Sequence, residues 1–224
     1  MLVARSTHPA WLSNAYLIAV EGGPAVFVDS GAEPAPLVEA AERWDATPVA
    51  VLRTHGHHDH VEHEDALARR FAIPVLAEPG EWRWDGLRVR GLATPGHSPD
   101  GLSFLVGEQI VATGDTLFRD AVGGGDVAEL RHSVLEVLLA LPDATRVLPG
   151  HAAETTIGRE RRLNPFVRVW SGAEPEGRER VRVSGAEATL LVWSPDYDGK
   201  GKAWVRFDDG SEAIVGGSRI ERGS

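Results

Sequence analysis

At 224 residues with a formal net charge of −10, the chain can bury one large core, and its acidity argues against the basic footprint of a nucleic-acid binder. It contains no cysteine, which excludes disulfides, thiolate metal ligands and Cys–His nucleophilic catalysis. No apolar run approaches the roughly 18 residues that a membrane span requires, and no basic segment followed by a long apolar stretch opens the chain, so a cytoplasmic location is expected.

In chain order, apolar alternation predicts paired strands over 14–20 and 25–28 around the turn Glu21-Gly22-Gly23-Pro24. A helix follows over 36–44, starting near its proline, and 49–53 reads as a strand. Directly after it stands Thr54-His55-Gly56-His57-His58-Asp59-His60, with His55, His57, Asp59 and His60 as potential metal ligands. In an extended segment, side chains at i and i+2 point to one side, so His55 and His57 can present imidazole nitrogens to one ion. The adjacent Asp59 and His60 are better placed to reach a second. Two ions about 3.5–4 Å apart can share a hydroxide and a bridging carboxylate, so further ligands are expected downstream. A polar loop of merely solvated histidines is the alternative.

Residues 64–71 read as a helix. Thr94-Pro95-Gly96-His97-Ser98 precedes the apolar run 102–106, and Thr113-Gly114-Asp115-Thr116 follows 109–112. Pro149-Gly150-His151 follows 146–148 in the same way. Each lies on a turn beside a strand-like stretch, where a rigid sheet can hold a functional group on a loop. A helix is predicted over 126–141, with Leu130, Val134, Val137, Leu138 and Leu141 on one face and His132 off that stripe on the solvated side. Imidazole and carboxylate ligands together suit zinc, iron or manganese. Zinc is expected, lowering the pKa of a bound water and polarising a carbonyl.

After Phe166 the texture changes. A Gly-, Pro- and acid-rich stretch over 171–177 precedes strand-like runs over 180–183, 189–193, 203–207 and 213–215. Asp196-Tyr197-Asp198-Gly199 and Asp208-Asp209-Gly210 supply turns between them. The expected organisation is a catalytic domain over 1–170, a linker over 171–177 and a small β-rich, SH3-like barrel over 178–224. Trp193, Tyr197, Trp204 and Phe207 read as the core of that barrel, with a ligand or peptide platform as the alternative. Its mixed charges, with Lys200, Lys202 and Arg206 among many acids, do not suggest nucleic-acid binding.

The set His55, His57, Asp59, His60, His97, Asp115 and His151 resembles the metallo-β-lactamase-fold hydrolase superfamily. Thr94-Pro95-Gly96-His97-Ser98-Pro99, Gly114-Asp115-Thr116-Leu117-Phe118 and Pro149-Gly150-His151 are similar in wording to hydroxyacylglutathione hydrolase, or glyoxalase II. So are Thr156-Ile157-Gly158 with Glu160, and Asn164-Pro165-Phe166, the likeness covering about residues 10–168. The resemblance implies an α/β fold of the αββα type, with two packed sheets covered by helices and a metal site at one edge between them. It implies that His55, His57 and His97 hold one metal, that Asp59, His60 and His151 hold another, and that Asp115 bridges them. Asp29 matches a position that supports the metal loop. His58 falls on a variable position, while His8 and His63 have no match and read as solvated.

The activity implied is hydrolysis of a small-molecule thioester or ester by a hydroxide bridging two divalent ions, with Asp59 orienting the hydroxide and Asp115 joining the metals. Two features depart from glyoxalase II. The β-rich tail replaces a helical region that helps bind glutathione, and Arg119-Asp120-Ala121-Val122-Gly123-Gly124-Gly125 lacks the lysine and tyrosine used there. The glycine run either brings backbone close to a substrate or makes a tight turn. Alternative readings are a mononuclear iron persulfide dioxygenase using the first histidine set with Asp115, a lactonase, and a binding module whose metal is structural. Neither a membrane nor a nucleic acid is expected as partner, and no substrate-binding residue is assigned.

Overall fold

The computed structural model of the chain describes residues 1–222. The first sheet comprises β1 (Leu2–Thr7), β2 (Asn14–Ala19), β3 (Pro24–Val28), β4 (Thr47–Leu52) and β5 (Val75–Leu76), in that spatial order. Between its later strands lie α1 (Ala35–Arg43), the single turn α2 (His58–Val61) and α3 (Glu64–Phe71). The second sheet runs β11-β10-β9-β8-β7-β6, from β6 (Gly80–Trp84), β7 (Leu87–Ala93), β8 (Leu102–Val106), β9 (Ile110–Gly114), β10 (Arg146–Pro149) and β11 (Thr155–Thr156). It is flanked by α4 (Val127–His132), α5 (Ile157–Leu163) and α6 (Pro165–Trp170).

Strand periodicity sorts the side chains into layers. Ile18, Val26, Val28, Ala50 and Leu52 face the second sheet and meet Val89, Phe104, Val106, Ile110 and Leu148 there. Their neighbours Leu17, Phe27 and Val51 point the other way, onto Leu37, Ala40 and Ala41 of α1 and Leu67 of α3. On the outer face of the second sheet Leu105, Val111 and Val147 pack against Leu130 and Val134, Ile157, and Phe166 with Trp170. Strands covered on both faces read as continuous apolar runs, which is why β2, β8 and β9 are buried along their whole length. These layers are the αββα sandwich. β1, β6 and β7 extend the sheets beyond the strands expected from sequence; β1 and β6 are half-exposed edges whose alternation is weak.

The predicted 126–141 helix is broken in character. After α4, residues Ser133–Leu138 widen into a π-helical turn, and Leu139 N–H donates to Val134 C=O five residues back at 2.9 Å. Ser133 is buried, and its Oγ donates to Pro95 C=O at 2.7 Å, tying the helix to the loop that carries His97. Leu130, Val134 and Leu138 are buried as the stripe predicts, while Val137 and Leu141 are half-buried.

The tail contains β12 (Glu179–Val183), β13 (Ala186–Ser194), β14 (Lys202–Phe207), β15 (Glu212–Gly216) and β16 (Ile220–Arg222). They pair antiparallel in the order β15-β14-β13-β12-β16. A 3-10 turn over Gly217–Arg219 carries the chain from one edge strand to the other and curls the sheet into an SH3-like half-barrel. Its own core holds Val181, Val183, Ala188, Leu190, Ala203, Val205 and Val215. The opposite set, Leu191, Val192, Trp204 and Ile214, packs into the cluster beneath α4 and α6. The last two residues of the expected 178–224 tail lie outside the described residues.

The four tail aromatics do not share one core, contrary to the sequence reading. Trp204 is buried against Trp170, ring centroids 6.1 Å apart. Phe207 packs on the half-barrel core, and Trp193 is exposed with the Arg222 guanidinium 5.0 Å over its ring. Tyr197 leaves the half-barrel altogether. It sits on the β13–β14 loop, so strand spacing does not govern where its side chain goes.

Candidate metal centre

Every sequence-predicted ligand converges at one edge of the sandwich. β4 feeds the His55–His60 loop, which stays extended through His57 and then closes into α2, so Asp59 and His60 sit on a helical turn. His97 follows β7, Asp115 follows β9 and His151 follows β10. The sheets thus supply ligands from both sides of the cleft.

Three imidazole nitrogens meet first. His57 Nδ1 lies 3.0 Å from His55 Nε2 and 3.0 Å from His97 Nε2. Two nitrogens on one tetrahedral zinc at about 2.0–2.1 Å stand about 3.3–3.4 Å apart, so this spacing suits a shared ion. Beside it, His151 Nε2 is 3.4 Å from Asp59 Oδ2, and His60 Nε2 is 3.6 Å from the same oxygen. Asp115 lies between the groups: Oδ2 is 3.5 Å from both His97 Nε2 and His151 Nε2, and Oδ1 is 3.3 Å from His60 Nε2. His55, His57 and His97 form one potential metal group, Asp59, His60 and His151 another, and His55, His60 and Asp115 link them.

Donor chemistry provides the test of fit. His60 Nε2 and Asp115 Oδ1 are buried without a hydrogen-bond partner among the described residues, although they lie 3.3 Å apart. Orphaned buried polar atoms are costly, and a cation between them would satisfy both. The residues present therefore fit metal binding.

Hydrogen bonds fix which ring nitrogen faces the cleft. Asp29 ends β3 in a left-handed conformation, φ +53°, which aspartate tolerates better than most residues. Its carboxylate accepts from Thr54 N–H, Thr54 Oγ1–H and His60 Nδ1–H, each at 2.8 Å. With Nδ1 protonated, His60 presents a bare Nε2 to the cleft. Thr54 Oγ1, spent as a donor on Asp29, accepts from His55 Nδ1 at 3.1 Å and so bares His55 Nε2 in turn. His97 Nδ1 donates to Gly124 C=O at 2.7 Å. Thr54 and the Gly124 carbonyl are contributors that sequence reasoning missed; only Thr54, adjoining the histidine motif, carried a local signal.

The glycine run answers to packing around the ligands. A Cβ at Gly123 would sit 2.0 Å from the Asp115 carbonyl oxygen and 3.0 Å from His97 Nδ1. Gly150 is crowded by the ligand side chains themselves, since its Cβ would lie 2.3 Å from Asp115 Oδ1 and 2.7 Å from His60 Cε1. The loop bearing this run is anchored by buried Glu160, which accepts from Asp120 N–H at 2.8 Å, from Asn164 Nδ2 at 3.1 Å and from Thr155 Oγ1 at 2.5 Å.

Electrostatics in the ion-free centre pair protons with carboxylates. Burial opposes charge on His151, but hydrogen bonds to Asp115 and Asp59 prevail and raise its pKa to about 9. His60 is likewise burdened by burial yet held well above the ordinary range by Asp29 and Asp115. Burial opposes ionisation of the Asp115 carboxyl, yet His151 and His60 hold it well below the usual range. Asp59 is lowered chiefly by its hydrogen bond to His151. Burial and the nearby His60 push His55 down to about 4, leaving it neutral.

The remaining histidines stand apart from the ligand groups. His58 is exposed, edge-on to Trp11 at 5.1 Å. His8 stacks on Trp11 at 4.1 Å and its Nδ1 accepts from Ala10 and Trp11 N–H, while His63 lies 3.7 Å from Glu62. His132 is exposed. The second aromatic neighbour was not anticipated: Tyr197 stacks face to face on His151, centroids 4.2 Å apart and planes 13° apart. Burial, then the carboxylates of Asp115 and Asp196, raise the pKa of its phenol.

Comparison with known proteins agrees with this geometry. Residues 8–89 match the model of the metallo-beta-lactamase superfamily. The chain is 35% identical over 194 residues to an uncharacterised protein of Aquifex aeolicus, covering 68% of this chain and 90% of that one. It is 31% identical over 199 residues to hydroxyacylglutathione hydrolase GloC of Haemophilus influenzae, covering 70% and 94%. Among solved structures it resembles the BLEG-1 B3 metallo-beta-lactamase, with a TM-score of 0.68, 28% identity and coverage of 74% and 99%. ETHE1 from Myxococcus xanthus gives a TM-score of 0.67 at 29% identity, covering 78% and 92%. TTHA1623, solved in a di-iron-bound form, gives 0.60 at 34%, covering 72% and 98%. The chain, with its paired ligand groups at the edge of an αββα sandwich, belongs to the metallo-β-lactamase superfamily of metallo-hydrolases.

Proposed function

We propose that the protein is a dinuclear metal hydrolase acting on a small-molecule thioester, and that His55, His57 and His97 hold one ion while Asp59, His60 and His151 hold the other. The observation that carries this reading is the convergence of both groups on Asp115, whose Oδ2 lies 3.5 Å from His97 of one group and from His151 of the other, while Oδ1 lies 3.3 Å from His60. Assembly of the second group favours two ions over the one-metal dioxygenase reading, which would need no carboxylate at Asp59. Zinc is the proposed metal, with iron the alternative that the di-iron relative supports.

When bound, the ions supply Lewis-acid polarisation of the carbonyl and a water acidic enough to attack near pH 7. The chain's own groups divide the remaining tasks. Asp115, little exposed and held ionised by His151 and His60, fixes the two histidine groups against each other. Asp59 is the more accessible carboxylate of the pair, 27% exposed against 10% for Asp115, so it can accept the proton of the attacking water and orient its lone pair. A thiolate leaves without needing a strong proton donor. The exposed Trp11, edge-on to His58 of the histidine motif, offers with Leu12 apolar surface to an acyl group. The 31% identity to a hydroxyacylglutathione hydrolase supports a thioester as substrate.

The test is steady-state hydrolysis of S-D-lactoylglutathione by zinc-loaded and iron-loaded protein, with metal stoichiometry measured on the same samples. A kcat/KM at or above about 10⁴ M⁻¹s⁻¹ with two ions per chain is the expected result. Two ions with negligible turnover on this and on glutathione-free thioesters would overturn the substrate assignment, and fewer than two would overturn the dinuclear one.

A further inference from the structure

Histidine ligands are ordinarily oriented by a polar partner on the nitrogen that does not face the metal. His55 has Thr54, His60 has Asp29 and His97 has the Gly124 carbonyl. His151 has none: its Nδ1 is buried with no hydrogen-bond partner among the described residues. Its ring is held by aromatic packing instead. Tyr197 lies parallel to it at 4.2 Å, and Phe118 stands edge-on to both rings, 5.8 Å from His151 and 5.7 Å from Tyr197.

Tyr197 comes from the tail, and its loop is firmly seated. Ser194 Oγ donates to the Asp120 carbonyl, joining the end of β13 to the loop after Asp115. Gly217 N–H donates to Gly201 C=O at 2.6 Å, closing the other end. Lys202 forms an ion pair with Asp196 at 3.0 Å and places its ammonium 5.9 Å from the Tyr197 ring centroid and 6.0 Å from that of Phe118. The tyrosine thus stacks on His151 with the Lys202–Asp196 ion pair close by.

We infer that the half-barrel completes the metal centre, with Tyr197 serving as the positioning residue for His151 in place of a hydrogen-bond partner. A flat ring against one face and a perpendicular ring against the side of the stack restrict rotation of the imidazole about its Cβ–Cγ bond, keeping Nε2 aimed between Asp59 and Asp115. The tail is on this account part of the site and not a separate recognition module. The inference rests on the dinuclear reading above.

The full chain is compared with Tyr197→Phe, Tyr197→Ala and Tyr197→Leu. Metal content is measured under graded chelator competition, the visible spectrum is recorded after cobalt(II) loading, and melting of the ion-free protein reports the fold. Tyr197→Phe keeps the stack and retains both ions with an unaltered cobalt spectrum. Tyr197→Ala keeps the His55 group's ion but holds the second about two- to tenfold more weakly, the range that an aromatic pair supports, with a changed spectrum. Tyr197→Leu, which preserves apolar bulk without a flat face, behaves like Tyr197→Ala even if the alanine variant melts early. Equal retention of both ions and identical cobalt spectra in all variants would overturn the inference while leaving the dinuclear reading intact. Failure of the unsubstituted chain to bind a second ion would overturn both.

Discussion

Asp29 touches neither proposed ion, yet its replacement by asparagine reaches both sites through proton positions alone. The substitution is nearly isosteric, and asparagine accepts the left-handed φ of +53°. The amide oxygen can still accept from Thr54 N–H, as Asp29 Oδ1 does at 2.8 Å. The amide nitrogen then occupies the place of Oδ2, where Thr54 Oγ1–H and His60 Nδ1–H both arrive as donors at 2.8 Å. Donor would face donor. His60 relieves this by moving its proton to Nε2, the atom that faces the cleft, and Thr54 by turning its hydroxyl proton toward His55 Nδ1. The second change forces the His55 proton onto Nε2 as well.

Loss of a ligand's orienting partner costs typically 10–100-fold in metal affinity, or about 1.4–2.7 kcal/mol per site. Chelator competition followed by elemental analysis should show both ions weakened in Asp29→Asn, the His60-containing site more strongly because its contact is direct. The melting of the ion-free variant should also fall, since a charge-assisted hydrogen bond contributes about 1.5–3 kcal/mol. Asp29→Ala is the cruder change: it orphans three donors and places alanine at positive φ, so loss of fold obscures loss of metal. Wild-type affinity for both ions in Asp29→Asn would refute the tautomer argument.

Gly150→Ala inserts a methyl 2.3 Å from Asp115 Oδ1, so metal content should drop toward one ion per chain while circular dichroism stays near that of the parent. His58→Ala, at an exposed position of the same motif, should change stability by no more than about 0.5 kcal/mol and leave metal content alone, as read by melting and elemental analysis. For pH, a folded-state pKa of about 9 on His151, raised from 6.5, gives stability that is complete below 6.5 and lost as the pH climbs through 9. The melting temperature of the ion-free protein should therefore fall across that window. Metal displaces this proton, so the loaded protein should show no matching fall, and parallel curves would contradict the assignment of His151.

The ligand residues were legible in sequence because each lies in a turn directly after or before a strand, where local pattern fixes position. His55 Nε2 and His57 Nδ1 come within 3.0 Å of each other, whereas Asp59 and His60 owe their placement to a helical turn that the extended reading did not foresee. The π turn over Ser133–Leu138 could not be read from the apolar stripe; it begins at Ser133, whose bond to Pro95, thirty-eight residues away, no local spacing encodes. Tyr197 was misplaced for a related reason. Its neighbours alternate like a small β core, but its own position on a loop frees it to cross to His151, and no local spacing encodes that contact. Edge strands β1 and β6 escaped notice because half-exposed strands carry little apolar signal.

The centre also bears on how the sandwich is closed. His55, His57, Asp59 and His60 hang from the first sheet, and His97, Asp115 and His151 from the second, so every shared ion would be a brace between the two. The same edge is already fastened by neutral bonds. Tyr16 Oη and Asn14 Nδ2 donate to Pro149 C=O at 2.8 and 3.0 Å, Asn14 N–H donates to Gly150 C=O at 2.7 Å, and Leu102 N–H donates to Thr54 C=O at 2.7 Å. His60 Nδ1 set against Asp29, and His151 against Asp115 and Asp59, complete the closure. Ions entering this edge exchange with protons and need not assemble the sheets. Their stabilising effect is then that of any ligand of the native state, about 2.7 kcal/mol at a free concentration one hundred times Kd, with little free energy diverted to reorganising the fold.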